Sequence, residues 1–350
     1  MTRRLLWASL VLAPVVLLLR YVFHSGNTVL FAVAALALVP LAWLIGEATE
    51  QAAEHTGPGI GGFLNASFGN APELIIALLA VADSLPDVVR GSLAGSVVSN
   101  ILLVLGLALA IQTGEEKTLD RKSLRIQLGL VFVAVLLLLI PSIPGWHGDP
   151  ERHALAVLSI PVSIVLVVLY LGTTTFTLRR HARLHAESDH EERTEAWRLS
   201  TALGALAVAT LATAAVSEVL VHSLEAFADA VGLSTFFVSA VIVAIVGNAA
   251  EHGGAVVIAR RGKIRLATEI AVSSSAQVGL LVIPAVALLS WLVMPPLPLS
   301  FRPVEMAAMG GSALLVGALL WDGKSRRSEG FILLVSYVVV AVGFFLAGDR

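Results

Sequence analysis

The chain contains no cysteine among its 350 residues, so disulfide bonds, thiolate metal sites and cysteine nucleophiles are all excluded. Charged residues are scarce as well: they make up 14% of the chain, against about 25% in a typical soluble protein. A net charge of −2 gives no basis for nucleic-acid binding. The sequence also lacks His-Glu-x-x-His and any serine or aspartate arrangement with a convincing base, so it does not favour an enzyme.

The chain is instead rich in apolar residues, which form 57% of it and give a mean hydropathy of +0.87. Because about 20 apolar residues cross a bilayer, the pattern predicts an all-α, multi-pass integral membrane protein with eleven transmembrane helices. The first window follows an Arg-Arg pair and is interpreted as a transmembrane helix, with a removed signal peptide as the alternative. The windows lie near 5–23, 27–46, 60–82, 89–111, 126–144, 154–177, 199–221, 234–259, 266–293, 304–321 and 330–347.

Basic residues predict the orientation of these spans. With eleven spans, the N-terminus and the loops after even-numbered helices share one face, and they hold 18 of the 23 Lys and Arg residues. Cytoplasmic loops carry the basic excess. We therefore expect a cytoplasmic N-terminus and an outer C-terminus. The loop at 179–198 is expected in the cytoplasm, as a solvated segment or as a regulatory one.

An internal repeat divides the chain. The stretch "GNAPELIIALLA" at 69–80 matches "GNAAEHGGAVVI" at 247–258, and the same offset also aligns Ser96 with Ser274. We predict an N-terminal helix at 1–24, five-helix units at 25–178 and 199–350, and the loop at 179–198 between the units. Since five is odd, the second unit is inverted in the membrane. Such inverted repeats are common in secondary transporters.

Each repeat places a carboxylate and a carboxamide near the middle of a predicted span. Asn70 and Glu73 are three residues apart, as are Asn248 and Glu251, so each pair shares one helix face. A carboxylate at bilayer depth costs at least a few kcal/mol and usually indicates function. Carboxylate and amide oxygens suit Ca²⁺. We therefore predict that these four residues bind a transported divalent cation.

The neighbouring helices carry further polar groups that could support this site. They are either ion-site oxygens or small residues at helix contacts, which serine commonly is. The residues are Ser96, Ser99, Asn100, Ser274, Ser275 and Gln277.

These segments resemble the cation/proton exchanger (CAX-type, Ca²⁺/H⁺ antiporter) family of the calcium/cation antiporter superfamily. The resemblance rests on "LAWLIGEATEQAAEHTGPGIGGFLNASFGNAPELIIALLA", "GSLAGSVVSNILLVLG", "IVGNAAEHGGAVVIA" and "SSSAQVGLLVIPAVALLSW". It implies one helix followed by two inverted five-helix repeats, with Glu73 and Glu251 binding the cation and exchanging protons. Sodium-coupled relatives have Gly-Thr-Ser in place of the Gly-Asn-Ala found twice here.

Three further residues are candidates for proton transfer or gating. Glu50 and Glu218 lie at matching places in the second and seventh predicted helices. His252 follows Glu251 and therefore points about 100° away from it on a helix. We interpret it as a group behind the carboxylates rather than as a ligand.

The sequence predicts Ca²⁺ and H⁺ as substrates of an antiporter, with no cofactor and with the lipid bilayer as its surroundings. A Na⁺-coupled Ca²⁺ exchanger and a passive cation channel are the alternatives. Two facing carboxylates favour strong binding over the weak sites of a channel. Frequent Ala and a preference for Arg over Lys point to a bacterial plasma (inner) membrane, with an organellar membrane as the alternative.

Overall fold

The computed structural model describes residues 2–112, 117–185, 197–293 and 295–349. Within these ranges the chain is helical throughout, apart from connections and one antiparallel pair of two-residue strands, β1 (Lys117–Thr118) and β2 (Lys324–Ser325). The α-helices are α1 (Thr2–Ser9), α2 (Leu12–Tyr21), α3 (Asn27–Phe68), α4 (Ala71–Ala82), α5 (Pro86–Val98), α6 (Leu105–Ala110), α7 (Arg121–Gly145), α8 (His153–His185), α9 (Leu199–Val231), α10 (Thr235–Phe237), α11 (Ala244–Gly247), α12 (Ala249–Arg260), α13 (Ile264–Gln277), α14 (Ile283–Val293), α15 (Pro303–Leu319) and α16 (Arg327–Ala347). Three π-helical segments join some of them: π1 (Ser99–Val104), π2 (Val238–Val243) and π3 (Val278–Val282).

The prediction of an all-α membrane protein is confirmed, and the structure gives an approximate number of spans. Eight helices of the described ranges are long and apolar enough to cross a bilayer. A ninth span results if Thr235–Gly247 and Ala249–Arg260, which meet at a bend of 59°, are taken together. The shorter apolar helices α4 and α15 fall in the third and tenth predicted windows.

Three helices continue well past the ends of their predicted windows: α3, α9 and α8, which reaches His185. Helix α3 continues from Asn27 to Phe68, because the polar stretch after the apolar window, "GEATEQAAEH", is rich in helix-forming Glu, Ala and Gln. Helix α9 continues to Val231 through "HSLEAFADAV", which has the same character. It ends at Gly232, whose φ of +70° a glycine adopts without strain.

The structure repeats with the offset seen in the sequence. Helices α4 and α12 are each 12 residues long and begin at corresponding positions of the two repeats. The starts of α5 and α13, and those of α6 and α14, are separated by that same offset. A π-helical segment lies between α5 and α6, as π1, and between α13 and α14, as π3. The match therefore includes irregular backbone, which apolar spacing alone does not predict.

Helix α5 packs very closely on π2, across the two repeats. A methyl group at Gly95 would collide with the backbone carbonyl of Ala240, and one at Gly91 would lie 2.6 Å from the Ser239 hydroxyl. Glycines four apart let helices in membranes approach closely. All residues of α5 from Val88 to Val98 are buried. This contact therefore joins the two repeats directly.

Polar contacts join the starts of α7 and α13. The Asp120 carboxylate accepts hydrogen bonds from the backbone N–H groups of Ser123 and Lys122 at the start of α7, and it pairs with Arg265 at 2.7 Å. The bond from Ser123, with the others, holds the pKa of Asp120 below its usual value. The short β1–β2 pair brings the loops before α7 and α16 together in the same region.

Candidate cation site

Two matching helix breaks form the centre of the site. Asn70 and Asn248 precede α4 and α12, with φ/ψ of −101°/15° and −89°/10°. Neither side chain caps its own helix. Glu73 and Glu251 therefore lie in first helical turns, where the helix dipole favours negative charge.

The breaks bring the two carboxylates together. A methyl group added at Gly247 would lie 3.4 Å from the Glu73 Cγ, so the break in one repeat packs on the carboxylate-bearing helix of the other. Glu73 and Glu251 are close enough to interact electrostatically. The structure thus places together two glutamates that lie in different halves of the sequence.

A hydrogen-bonded network surrounds the second break. The Asn248 Nδ2 donates to the Ser96 Oγ at 2.8 Å and to the Ala244 carbonyl at 2.9 Å. The Asn100 Nδ2 donates to the Asn248 Oδ1 at 3.2 Å and to the Ser274 Oγ at 2.8 Å. The Ser274 hydroxyl in turn donates to the Glu251 carboxylate.

The first break has a simpler arrangement. The Asn70 Nδ2 donates to the Gln277 Oε1 at 3.0 Å, which links α4 to α13 across the repeats. Glu73 is buried, and within the described chain its Oε2 accepts no hydrogen bond. The two halves are thus unequal: Glu251 has a hydroxyl donor and Glu73 keeps a buried, unsatisfied oxygen facing this region.

Three more of the predicted residues, Ser99, Ser275 and His252, hydrogen-bond to groups other than the two carboxylates. The hydroxyls of Ser99 and Ser275 donate to backbone carbonyls, at 3.2 Å to Ser96 and at 3.0 Å to Val97. Both serines are buried; the Ser99 bond lies within one continuous helical stretch, whereas the Ser275 bond joins α13 to α5. The His252 ring meets the Asn100 Oδ1 at 3.0 Å, which agrees with a place behind the carboxylates.

Glu50 and Glu218 lie away from the network. Both side chains are exposed, and within the described residues neither hydrogen-bonds to the central groups. Glu50 interacts electrostatically with Glu47 and Glu54 on the same helix, so α3 carries an acidic surface there. The structure does not bring these two predicted gating residues into the centre.

Sequence reasoning missed a buried ionic cluster at the start of α5. Arg90 at the start of α5 is 1% exposed, and its Nη2 donates to Asp87 at 2.8 Å and to Glu151 at 2.7 Å. The buried Glu305 of α15 accepts from the backbone N–H of Arg302. One signal was available, because Arg90 stands at the start of an otherwise apolar window.

The end of the described chain joins this cluster. The Arg302 guanidinium lies 3.6 Å from the Phe236 ring and donates to the Gly348 carbonyl at 2.8 Å. Asp349 accepts from the Thr235 hydroxyl at 2.7 Å and from the Phe236 N–H at 2.8 Å. The cluster therefore links α5, α10, α15 and the segment after α16.

The side chains at the centre of the site offer oxygen atoms as possible cation ligands. Among the described residues no group of three or more His, Asp or Glu side chains could hold a metal ion. The centre instead combines two carboxylates with carboxamides and hydroxyls, which are ligands of hard cations. This donor set therefore suits a hard cation such as Ca²⁺.

The model of the family "Sodium/calcium exchanger protein" matches residues 26–179 and 201–346. The match covers both repeats. This chain belongs to that family. Within it, the chain belongs with the cation/proton exchangers, as its sequence predicts. It is 35% identical over 346 residues to the "Ca(2+)/H(+) antiporter" of Aphanothece halophytica, covering 94% of this chain and 93% of that one.

A second relative and a solved structure are also similar to this chain over nearly its whole length. The "Ca(2+)/H(+) antiporter ChaA" of Bacillus subtilis is 38% identical over 333 residues, which covers 92% of this chain and 93% of that protein. The solved structure of native YfkE matches this exchanger with a TM-score of 0.82 at 33% identity, covering 97% and 99% of the two chains. The fold and the family are therefore both established.

Proposed function

We propose that the protein is a secondary transporter that exchanges Ca²⁺ for H⁺ by alternating access. The observation that carries the proposal is the meeting of Glu73 and Glu251 at two matching helix breaks. Relatives at 35–38% identity over nearly the whole chain bear the name Ca²⁺/H⁺ antiporter, which supports the same substrates.

Exchange follows from competition for the same oxygens. Two carboxylates in a dehydrated space repel each other, so the pair is stable either with protons bound or with a divalent cation between the oxygens. The unsatisfied Glu73 Oε2 is available to either substrate. Asn70 and Asn248 supply neutral oxygens at the same place. One site that opens alternately to the two faces then couples the two fluxes.

The proposal includes the finer topology. Eleven spans, with units at 25–178 and 199–350 inverted relative to each other, agree with the equal spacing of α4 with α12, α5 with α13 and α6 with α14. The N-terminus and the loop at 179–198 lie in the cytoplasm of a bacterium, and the start of α5 faces outward.

The orientation can be tested at the two ends of α9. Arg198 precedes this helix and Asp229 lies near its end, and both are exposed. In this cysteine-free chain, Arg198→Cys and Asp229→Cys should react with a membrane-impermeant thiol reagent from opposite sides. Reaction of both from the same side would contradict the proposed topology.

Transport is tested by Ca²⁺ uptake into proteoliposomes with the pH gradient and the Na⁺ gradient imposed independently. We expect a pH gradient to drive Ca²⁺ movement in sodium-free medium. Each repeat has Ala at the position where sodium-coupled relatives have Ser, so it provides one hydroxyl fewer for a monovalent ion. Flux that needs Na⁺ and ignores the pH gradient would favour a Na⁺-coupled exchanger. Flux that follows the Ca²⁺ gradient alone would favour a channel.

A further inference from the structure

Asn100 occupies the meeting point of the network at the second helix break. It is buried in π1, within the first repeat, and all of its side-chain partners belong to the second repeat: Asn248, Ser274 and His252. Sequence reasoning treats it as a supporting ion-site oxygen. The directions of its hydrogen bonds give it another role.

The directions of the hydrogen bonds around Asn100 can be deduced from one backbone carbonyl, that of Ala244. The Ala244 carbonyl can only accept, so the atom of Asn248 that faces it is the amide nitrogen. The Asn248 oxygen therefore faces Asn100, which must donate to it with its own amide nitrogen. That nitrogen gives its second hydrogen to Ser274.

The remaining two bonds are then also determined. With both amide hydrogens in use, the Asn100 oxygen faces His252, whose Nε2 must carry the proton that bonds to it. Ser274 accepts from Asn100, so its one hydrogen is directed to Glu251. Every bond in the sequence His252, Asn100, Ser274, Glu251 thus donates toward the carboxylate.

We propose that Asn100 is a positioning residue of the exchanger, which acts on the cation through Asn248 and Ser274 rather than as a ligand. Its two amide hydrogens hold the Asn248 oxygen in place and direct the Ser274 hydroxyl at Glu251. Its oxygen is occupied by His252. The inference rests on the proposed Ca²⁺/H⁺ exchange and adds a residue that prepares the site from the other repeat.

The decisive variant is Asn100→Asp. It keeps the shape and the oxygen that faces His252, but replaces the amide nitrogen and its two N–H donors by a second oxygen. The new carboxylate would face the Asn248 oxygen, which the Ala244 carbonyl prevents from turning away, and would draw the Ser274 hydroxyl from Glu251. We expect the KM for Ca²⁺ to rise at least about tenfold, the loss typical of a hydrogen bond to a charged group. If Asn100 were a ligand, an added carboxylate would leave KM unchanged or lower it.

A double-mutant cycle distinguishes a positioning role of Asn100 from general destabilisation of the protein. We expect Ser274→Ala to raise KM by itself, and Asn100→Asp to have a smaller effect in that background than in the wild type. Independent, fully additive effects would contradict the proposal. Ser92→Ala is the matched control on the neighbouring helix, because this buried hydroxyl bonds to the carbonyl of Val89 one turn earlier.

The measurement combines pH-driven Ca²⁺ uptake in proteoliposomes with equilibrium Ca²⁺ binding to the purified full-length protein. Absence of exchange by the wild type would refute the proposed function, while the binding data still rank the variants. Unchanged or tighter Ca²⁺ binding by Asn100→Asp would refute the role of Asn100. If this variant does not fold, Asn100→Leu removes the amide hydrogens without adding a charge. Weaker Ca²⁺ binding that is less than additive with the effect of Ser274→Ala is then expected, and unchanged binding or fully additive effects would overturn the proposal.

Discussion

Replacing Gly95 with alanine should separate helix α5 from π2. In the structure the added methyl group would collide with the backbone carbonyl of Ala240 in π2, and a backbone atom cannot rotate away as a side chain could. Inserting a methyl into a tight contact typically costs about 1–3 kcal/mol. That is roughly a 5- to 150-fold change in an equilibrium. The cost applies to the state in which α5 touches π2, so the population should shift toward the state in which they separate.

The shift in population can be measured from the reactivity of one introduced cysteine. Ser239 is buried in π2 against Gly91, and Ser239→Cys places a thiol inside the contact of an otherwise cysteine-free chain. We expect little reaction with an impermeant thiol reagent in the Ser239→Cys protein and rapid reaction, from the proposed outer side, when Gly95→Ala is added. Gly129→Ala is the control, since a methyl group there would meet no atom within 4 Å. Unchanged labelling with unchanged transport would refute the view that this contact opens.

Three further predictions follow from the described contacts. Glu73→Gln and Glu251→Gln should each abolish exchange while folded protein remains in the membrane, and normal Ca²⁺ uptake by both would refute the site. Arg90→Met should lower the free energy of unfolding by about 1.5–3 kcal/mol, because it removes charge-assisted hydrogen bonds to two partly exposed carboxylates; an unchanged melting temperature would contradict this. The pKa of Asp120 is lowered in the folded protein, so its ionised carboxylate stabilises the fold at pH values above the pKa of the unfolded state. This stabilisation is lost as the pH falls through the pKa of the folded state. Asp120→Ala should therefore lower the melting temperature at neutral pH and have little effect in strong acid.

Much of the fold could be predicted because membrane spans follow from composition. Long apolar windows identify helices such as α7 and α16, since the bilayer sets their length. The ends of α3 and α9 could not be placed in this way. The polar stretches beyond their windows are good helix formers, and polarity alone does not distinguish a loop from a helix that continues into water.

The core of the site could be predicted because buried carboxylates are costly and therefore informative. Glu73 and Glu251 stand out in apolar windows, and the repeat pairs them. The role of Asn100 could not be predicted, because its counterpart in the second repeat is Val278 and the repeat gives no second example. Only the positions of its three partners show which of its atoms are donors.

Residues outside the repeat pattern were the hardest to interpret. Arg90 stands in an apolar window of the sequence, yet it is almost fully buried and pairs with Asp87 of its own helix and with Glu151 of another segment. Such pairing depends on how the helix ends meet in space. Glu50 and Glu218 show the converse, since matching positions in the repeats did not bring them to the centre.

The most direct test of the account is the movement of protons driven by Ca²⁺ alone. Proteoliposomes with a pH-sensitive dye inside begin at equal pH on both sides, without Na⁺, and receive Ca²⁺ outside. The account predicts that the interior becomes more alkaline as Ca²⁺ enters, and that Glu73→Gln and Glu251→Gln remove both changes together. Ca²⁺ entry with no change in internal pH, or a change that persists in either variant, would contradict exchange at this pair of glutamates.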